Sequence, residues 1–298
     1  MYSIRRRSVT LSIAAFACLA GTGTALAAPP PRDAVEDLLD ADRAFSTSAH
    51  GKNVVDSIAQ FLADDARAPK PDGSFARTKQ EIIDLLSSNP LNLTATADWA
   101  PVRGGISADA TQGFTYGFFY VHAAGQPDRR AKYLAYWKKT SAGWRAIAYR
   151  RNLSNAGTIS TAMRDPSVPA VMLPVRPSPQ IVSKYRDSLA AREQAFSARA
   201  HDVGLKQAFL DFGAPDAMNL NGGSPDFAFG PTAIAANLPA DVPSPVIWGP
   251  DEGVVVSSTG DLGITFGYIR PTGSLGTIPF YTIWRRDSPS GEWHYVAE

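Results

Sequence analysis

The chain is 298 residues long, 44% hydrophobic and 10% aromatic, with a formal net charge of +1. That length accommodates about two domains of ordinary size, and the composition is that of a folded chain rather than a disordered one. The near-neutral charge leaves no basic stripe for nucleic acid and no cationic amphipathic helix for a membrane surface.

Residues 1–27 begin with Arg5, Arg6 and Arg7, continue through the apolar run Val9 to Ala20, and end in the small-residue stretch Ala25 to Ala28. This is the layout of a cleavable secretory signal, and the run is shorter than the roughly 20 residues a bilayer span requires. A periplasmic or secreted protein is therefore expected, with no membrane span in the mature chain. Cleavage after Ala27 removes three arginines and no acids, so the formal charge moves from +1 to −2. It also removes Cys18, the single cysteine, leaving no disulfide and no thiolate chemistry.

Beyond the signal, Leu38, Ala41, Phe45 and Ala49 recur three or four apart, which predicts one face of a helix. Thr78 followed by Glu81 is a capping-box signature for a short helix that carries Ile82 and Leu86 inward. After Trp99 the texture turns β-branched and aromatic, and "GFTYGFFYV", "KYLAYWKK" and "GWRAIAYR" read as strands. "TSAG" at Thr140 is a turn joining the last two as a hairpin. From Asn152 to Gln180 the chain holds Pro166, Pro169, Pro174, Pro177 and Pro179, a stiff extended linker.

Then the same text returns. "AFSTSAH" at Ala44 is answered by "AFSARAH" at Ala195, and "FLADDA" at Phe61 by "FLDFGAPDA" at Phe209. "WAP" at Trp99 matches "WGP" at Trp248, and "GFTYGFF" at Gly113 matches "GITFGYI" at Gly263. "YLAYWKK" matches "FYTIWRR", and each is followed by a second tryptophan, Trp144 and Trp293. An ordered series of echoes is the signature of a tandem repeat. Helices first and antiparallel strands after define an α+β layout in each half. The expected division is 1–27 signal peptide, 28–152 first domain, 153–179 linker and 180–298 second domain.

Taken together, "D/E-x-A-F" on the first helix, "F-L-x-D-D-A" at the end of the second, the "G-x-T-x-G" strand and the closing "Y-x3-W…G-x-W" hairpin resemble the nuclear transport factor 2-like superfamily, and within it the SnoaL-like domains. The resemblance covers Asp33 to Arg151 and Ile181 to Glu298. It implies two cone-shaped domains, each with N-terminal helices packed on a strongly curved antiparallel sheet and a pocket at the open end. Some such proteins are isomerases, dehydratases or cyclases, and others only bind. The isomerase general-base position falls near Lys70 and Asn221, and its helix tyrosine near Phe45 and Phe196; these residues cannot form that acid–base pair. An acid that often ends the last strand in the family corresponds to Tyr149 in the first half and Glu298 in the second.

The residues also supply candidates. His50 and His201 close the first helix of each half, where an imidazole complements the helix dipole. Four histidines without metal-ligand spacing argue against zinc, and neither a metal nor a cofactor is expected. Trp99, Trp137, Trp248 and Trp284 are expected in the core, with Trp248 also bordering a pocket. Thr115 and Gly117, like Thr265 and Gly267, share one strand face, where small residues would let a helix approach. The other face carries Tyr116, Tyr120 and His122, and in the second half Phe266, Tyr268 and Arg270. Such a face suits either a pocket wall or a packing surface between domains. Ligand-binding candidates are Tyr116, Tyr120, His122, Tyr149, Phe266, Arg270 and Trp248; catalytic candidates are Glu298, His294 and Tyr268. His294, Val296 and Glu298 are expected on one strand face by the period-two rule, and Arg145, Ile147 and Tyr149 on the matching one. The alternative for Glu298 is a terminal residue frayed into solvent.

Three functions follow in order of support. The first is an exported protein that binds a small, partly apolar molecule in one or both pockets. The second is a cofactor-free lyase, isomerase or dehydratase acting in the second pocket. The third is a structural or partner-binding protein, with the repeats packed as an intramolecular pseudo-dimer or two copies of the chain forming a homodimer.

Overall fold

A computed structural model describes residues 30–173 and 177–298; the signal-peptide expectation for 1–27 lies outside the described residues. The first repeat runs α1 (Pro31–Ser48), α2 (Val54–Ala59), β1 (Leu62–Pro69), β2 (Phe75–Ala76), α3 (Lys79–Ser87), β3 (Thr96–Ile106), β4 (Gln112–His122), β5 (Arg129–Thr140) and β6 (Gly143–Leu153). The second follows the same order with α4 (Pro179–Val203), α5 (Leu205–Phe212), β7 (Gly213–Asn219), β8 (Ala228–Phe229), α6 (Gly230–Ala236), β9 (Val246–Val256), β10 (Leu262–Pro271), β11 (Ile278–Arg285) and β12 (His294–Ala297). Each repeat forms a six-stranded sheet, ordered β2-β1-β6-β5-β4-β3 and β8-β7-β12-β11-β10-β9. The fold is α+β, and the sheets are antiparallel except where β1 joins β6 and β7 joins β12 in parallel.

Local chemistry starts the elements as expected. Thr78 caps α3 by accepting from the Glu81 amide at 3.1 Å, and Ile82 is buried while Leu86 is half-buried. The "F-L-x-D-D-A" phrase is a correction: α2 ends at Ala59, and Leu62 to Ala66 belong to β1. Leu62 and Ala66 face the core while Asp64 and Asp65 face solvent, and backbone pairing with β6 holds the segment extended.

Each sheet has one face covered by its own helices. In the first repeat that core holds Leu38, Phe61, Trp99, Trp137 and Tyr149; in the second it holds Leu189, Phe196, Phe209, Trp284 and Tyr295. The opposite faces meet each other in a third apolar cluster, which includes Phe114, Tyr116, Phe118 and Tyr136 from one repeat and Ile264, Phe266, Tyr281 and Ile283 from the other. Polar ties cross the same seam. The Tyr281 hydroxyl donates to the Leu134 carbonyl at 2.6 Å, and Gln112 Nε2 donates to the Val256 carbonyl at 2.8 Å. Lys132, fully buried, donates to the carbonyls of Ser224 at 2.6 Å and Asp226 at 3.0 Å. The linker is pinned, not free: Ser167 donates its amide to Gly104 O at 2.9 Å and accepts from Ile106 N at 3.0 Å, covering the edge of β3.

The glycines of "G-x-T-x-G" divide two tasks. A Cβ on Gly113 would stand 2.5 Å from Leu38 Cδ2, and one on Gly263 would stand 2.6 Å from Leu189 Cδ2, so these two positions admit the helix. Gly117 and Gly267 serve the neighbouring strand, contrary to expectation. A Cβ there would lie 2.0 Å from Ala100 O and 1.8 Å from Gly249 O, where β3 and β9 shift register.

Phe45 and Phe196 occupy matched places on α1 and α4, each against a tryptophan, Trp137 at 6.0 Å and Trp284 at 5.9 Å between ring centres. Their burial differs. Phe196 is 1% exposed, whereas Phe45 is only half-buried beneath the Arg145 guanidinium. Phe196→Ala is expected to cost about 3–5 kcal/mol in denaturant unfolding, and Phe45→Ala distinctly less. Equal losses would contradict this packing.

Candidate functional site

Each helix-covered core is built around one buried carboxyl. Asp42 on α1 accepts from Trp99 Nε1 at 2.7 Å and from the Tyr133 hydroxyl at 2.7 Å. Glu193 on α4, the matching residue, accepts from Trp248 Nε1 at 2.7 Å, Thr265 Oγ1 at 2.5 Å and Trp284 Nε1 at 2.9 Å. Ser46 and Ser197, one turn on, accept the backbone amides of Trp99 at 2.8 Å and Trp248 at 2.9 Å. Both acids are wholly enclosed, and burial raises the pKa of each above the ordinary carboxylate value despite these donors. With every oxygen facing a donor, these two carboxyls hold the helix on the sheet.

The cones then diverge. In the first, the Phe61 ring lies 5.6 Å from Trp99, 5.5 Å from Trp137 and 5.3 Å from Tyr149, and the space left beside Asp42 is too small for a water molecule. In the second, Phe196 stacks on Phe212 at 4.9 Å and on Tyr295 at 5.7 Å. A cavity of about 230 Å³ remains there. Leu205, Phe209, Leu238, Val246, Trp248 and Phe280 give it apolar walls, and Asn219, Thr282, Glu298 and Arg150 supply its polar points. Arg150 comes from the first repeat.

Glu298 borders this cavity with its side chain half-buried. Its backbone is held on both sides, donating to Met218 O at 3.0 Å and accepting from Leu220 N at 2.9 Å, so it is not frayed. Asn219 Nδ2 donates to Glu298 Oε1 at 2.7 Å, while Asn219 Oδ1 accepts from the Asn221 amide at 2.5 Å, which orients the side-chain amide toward the acid. Burial, assisted by the charge of Glu193, raises the Glu298 pKa to about 7 against the counter-effects of Asn219 and Arg150.

His294 does not join it. At the end of the sheet, Ile283 and Trp284 pair with Ala297 and Tyr295, leaving Val296 as an extra residue. This β-bulge resets the two-residue alternation. Tyr295 and Glu298 therefore face the helix-covered side, while Val296 packs between the sheets and His294 and Val296 line a separate groove with Asp216 and Arg285. The first repeat has the same bulge at Ile147, which parts Ile147 from Tyr149.

The remaining candidates are dispersed. Tyr116 and Phe266 are buried between the sheets, with Tyr120 and Tyr268 packed against the same cluster, because that strand face turns toward the other repeat rather than into a cone. The Tyr268 hydroxyl donates to Glu252 Oε1 at 2.6 Å, and Arg77 reaches both groups across the seam. His122 is held by Asp98 and by Asp128 at 2.9 Å, and Arg270 by Asp251 at 2.9 Å, both in surface ion pairs. Tyr149 lines the filled first cone. Of the candidates read from sequence, Glu298 and Trp248 share the cavity. His50 and His201 are exposed at their helix ends. Among the described residues no group of three or more His, Cys, Asp or Glu could hold a metal ion, and no helix is long and apolar enough to cross a membrane.

No protein-family model matches the chain, and neither does any curated protein. Solved structures similar to it are nuclear transport factor 2-like and ketosteroid isomerase-like proteins. A ketosteroid isomerase-like protein from Erwinia carotovora atroseptica is 14% identical, with a TM-score of 0.32 over 40% of this chain and 95% of its own. An NTF2-like protein of unknown function from Shewanella oneidensis is 10% identical, with a TM-score of 0.30 over 41% of this chain and 98% of its own. An NTF2-like protein with a cystatin-like fold from Novosphingobium aromaticivorans is 15% identical, with a TM-score of 0.30 over 43% of this chain and 84% of its own. Each match spans between 40% and 43% of this chain.

The raised Glu298 pKa fixes the sign of a pH effect. A carboxyl whose pKa rises from 4.5 to about 7 on folding stabilises the fold fully below 4.5, and that contribution is lost as pH climbs to about 7. The wild-type melting temperature should therefore fall more steeply across this interval than that of Glu298→Gln. Asp42 and Glu193 remain in both proteins, so the difference reports Glu298 together with its coupling to Glu193. Parallel profiles would contradict the assignment.

Proposed function

We propose that this is an exported protein that holds a small, partly apolar molecule in the cavity of its second repeat, with the first repeat as rigid support. The observation that carries this reading is the difference between two like cones, one packed shut and one with a largely apolar space bordered by Glu298 and Asn219. At about 230 Å³ the cavity lies below the roughly 300–1,000 Å³ of drug-sized ligand sites. The molecule is accordingly compact, with one hydrogen-bonding group placed toward Glu298.

One observation favours a second reading, a cofactor-free lyase, isomerase or dehydratase. A carboxyl with a pKa of about 7 can give or take a proton near neutral pH. Glu298 is the acid or base in that reading, and His294 and Tyr268 have no part in it, since neither lines the cavity.

Native mass spectrometry of the chain purified from its own periplasmic extract tests the proposal. The expected species lacks residues 1–27 and carries a small-molecule adduct. The adduct should be lost in Leu238→Trp, which fills the cavity, and its affinity should fall at least tenfold in Glu298→Gln. An adduct undiminished in Leu238→Trp contradicts the site, and a chain that retains residues 1–27 contradicts export. Turnover abolished in Glu298→Gln with binding intact would select the enzymatic reading.

A further inference from the structure

We propose that the mouth of the first cone, a site separate from the second-repeat cavity, binds a small organic anion, a carboxylate on a compact apolar body, through Arg151 and Tyr149. The inference does not depend on the reading of the second cavity. Although the interior of the first cone is closed, its rim opens into a cavity of about 290 Å³. Ile82, Leu86 and Pro279 form an apolar border, and Lys70, Tyr149 and Arg151 also line the space.

Two of those groups lack partners. The Tyr149 hydroxyl and Arg151 Nη1 are both buried and make no hydrogen bond, although Tyr149 as a residue is only 5% exposed. Buried donors are ordinarily satisfied, so two orphans bordering one cavity point to a missing acceptor. The Arg151 guanidinium sits 4.6 Å above the Phe119 ring, which fixes its plane and leaves its edge to donate. It is also close enough to Tyr149 to ease the ionisation of a phenol that burial otherwise suppresses.

Charge favours an anion. Lys70 pairs at 3.2 Å with Asp72, an acid that is 62% exposed. Among the described residues Arg151 has no ion-pair partner. A planar guanidinium matches a carboxylate in shape and charge, and the apolar border has no complement in a fully hydrated inorganic ion.

Isothermal titration calorimetry of the full chain at low ionic strength, with benzoate, benzamide and inorganic phosphate as probes, tests the site. Benzoate should bind at one site per chain, and both benzamide and phosphate at least tenfold more weakly. Arg151→Gln should weaken benzoate at least tenfold. Tyr149→Phe, which keeps the ring and its packing, should weaken it severalfold, so the proposal stays testable if Arg151→Gln fails to fold. Lys139→Gln, a surface cation paired with Asp37 elsewhere on this repeat, should bind benzoate as the wild type does. Four results overturn the proposal: no benzoate heat at millimolar concentration, benzamide equal to benzoate, phosphate tighter than benzoate, or benzoate affinity unmoved by both variants.

Discussion

The fold depends on a carboxyl buried under each helix. A carboxyl removed from water is costly unless donors surround it, and the donors that surround Asp42 and Glu193 come from several strands at once. Trp99 and Tyr133 bring β3 and β5 to Asp42, while Trp248, Thr265 and Trp284 bring β9, β10 and β11 to Glu193. One residue on one helix thereby sets the relative placement of helix and sheet. Removing a donor would leave a buried charge or hydroxyl unmatched, which is why the surrounding residues recur together in both halves.

With both helices anchored alike, the function of each cone is decided by what fills it. The first repeat spends its aromatic rings on its own interior, with Phe61 wedged among Trp99, Trp137 and Tyr149. The second keeps a space, and the residue that follows its last strand is an acid where the first repeat has Tyr149. The seam between the sheets links the two outcomes. It buries the faces that carry Tyr116 and Phe266, and it delivers Arg150 of one repeat to the cavity of the other. Neither half contains the whole second-repeat site.

Much of this was legible in the residues. The echoed phrases gave two copies of one α+β unit, because each hub uses an acid, a serine and a tryptophan at matching places, Asp42, Ser46 and Trp99 in one half and Glu193, Ser197 and Trp248 in the other. The acids themselves stood in the "D/E-x-A-F" phrase, yet nothing local distinguishes a buried Asp42 from a solvated one. Their shared offset with Phe45 and Phe196 was the available signal. The bulges at Ile147 and Val296 had none, since one unpaired residue in an otherwise regular strand depends on the neighbouring strand's register. That one residue separates His294 from Glu298. Asn219 and Arg150 were equally hidden, one approaching from a distant strand and the other from the opposite repeat. Tyr116 and Phe266 illustrate a different limit: an apolar strand face with polar tips reads the same whether it lines a pocket or meets another sheet.

The central claim is that the two cones share a frame but only the second keeps an open interior. A crystal of the protein pressurised with xenon tests this most directly, because xenon enters dry apolar space that is large enough to admit it. The account predicts xenon within the second repeat, bordered by Phe196, Phe209 and Leu238, and none between Phe61, Trp99 and Trp137. Xenon in the first cone, or in neither, would contradict it.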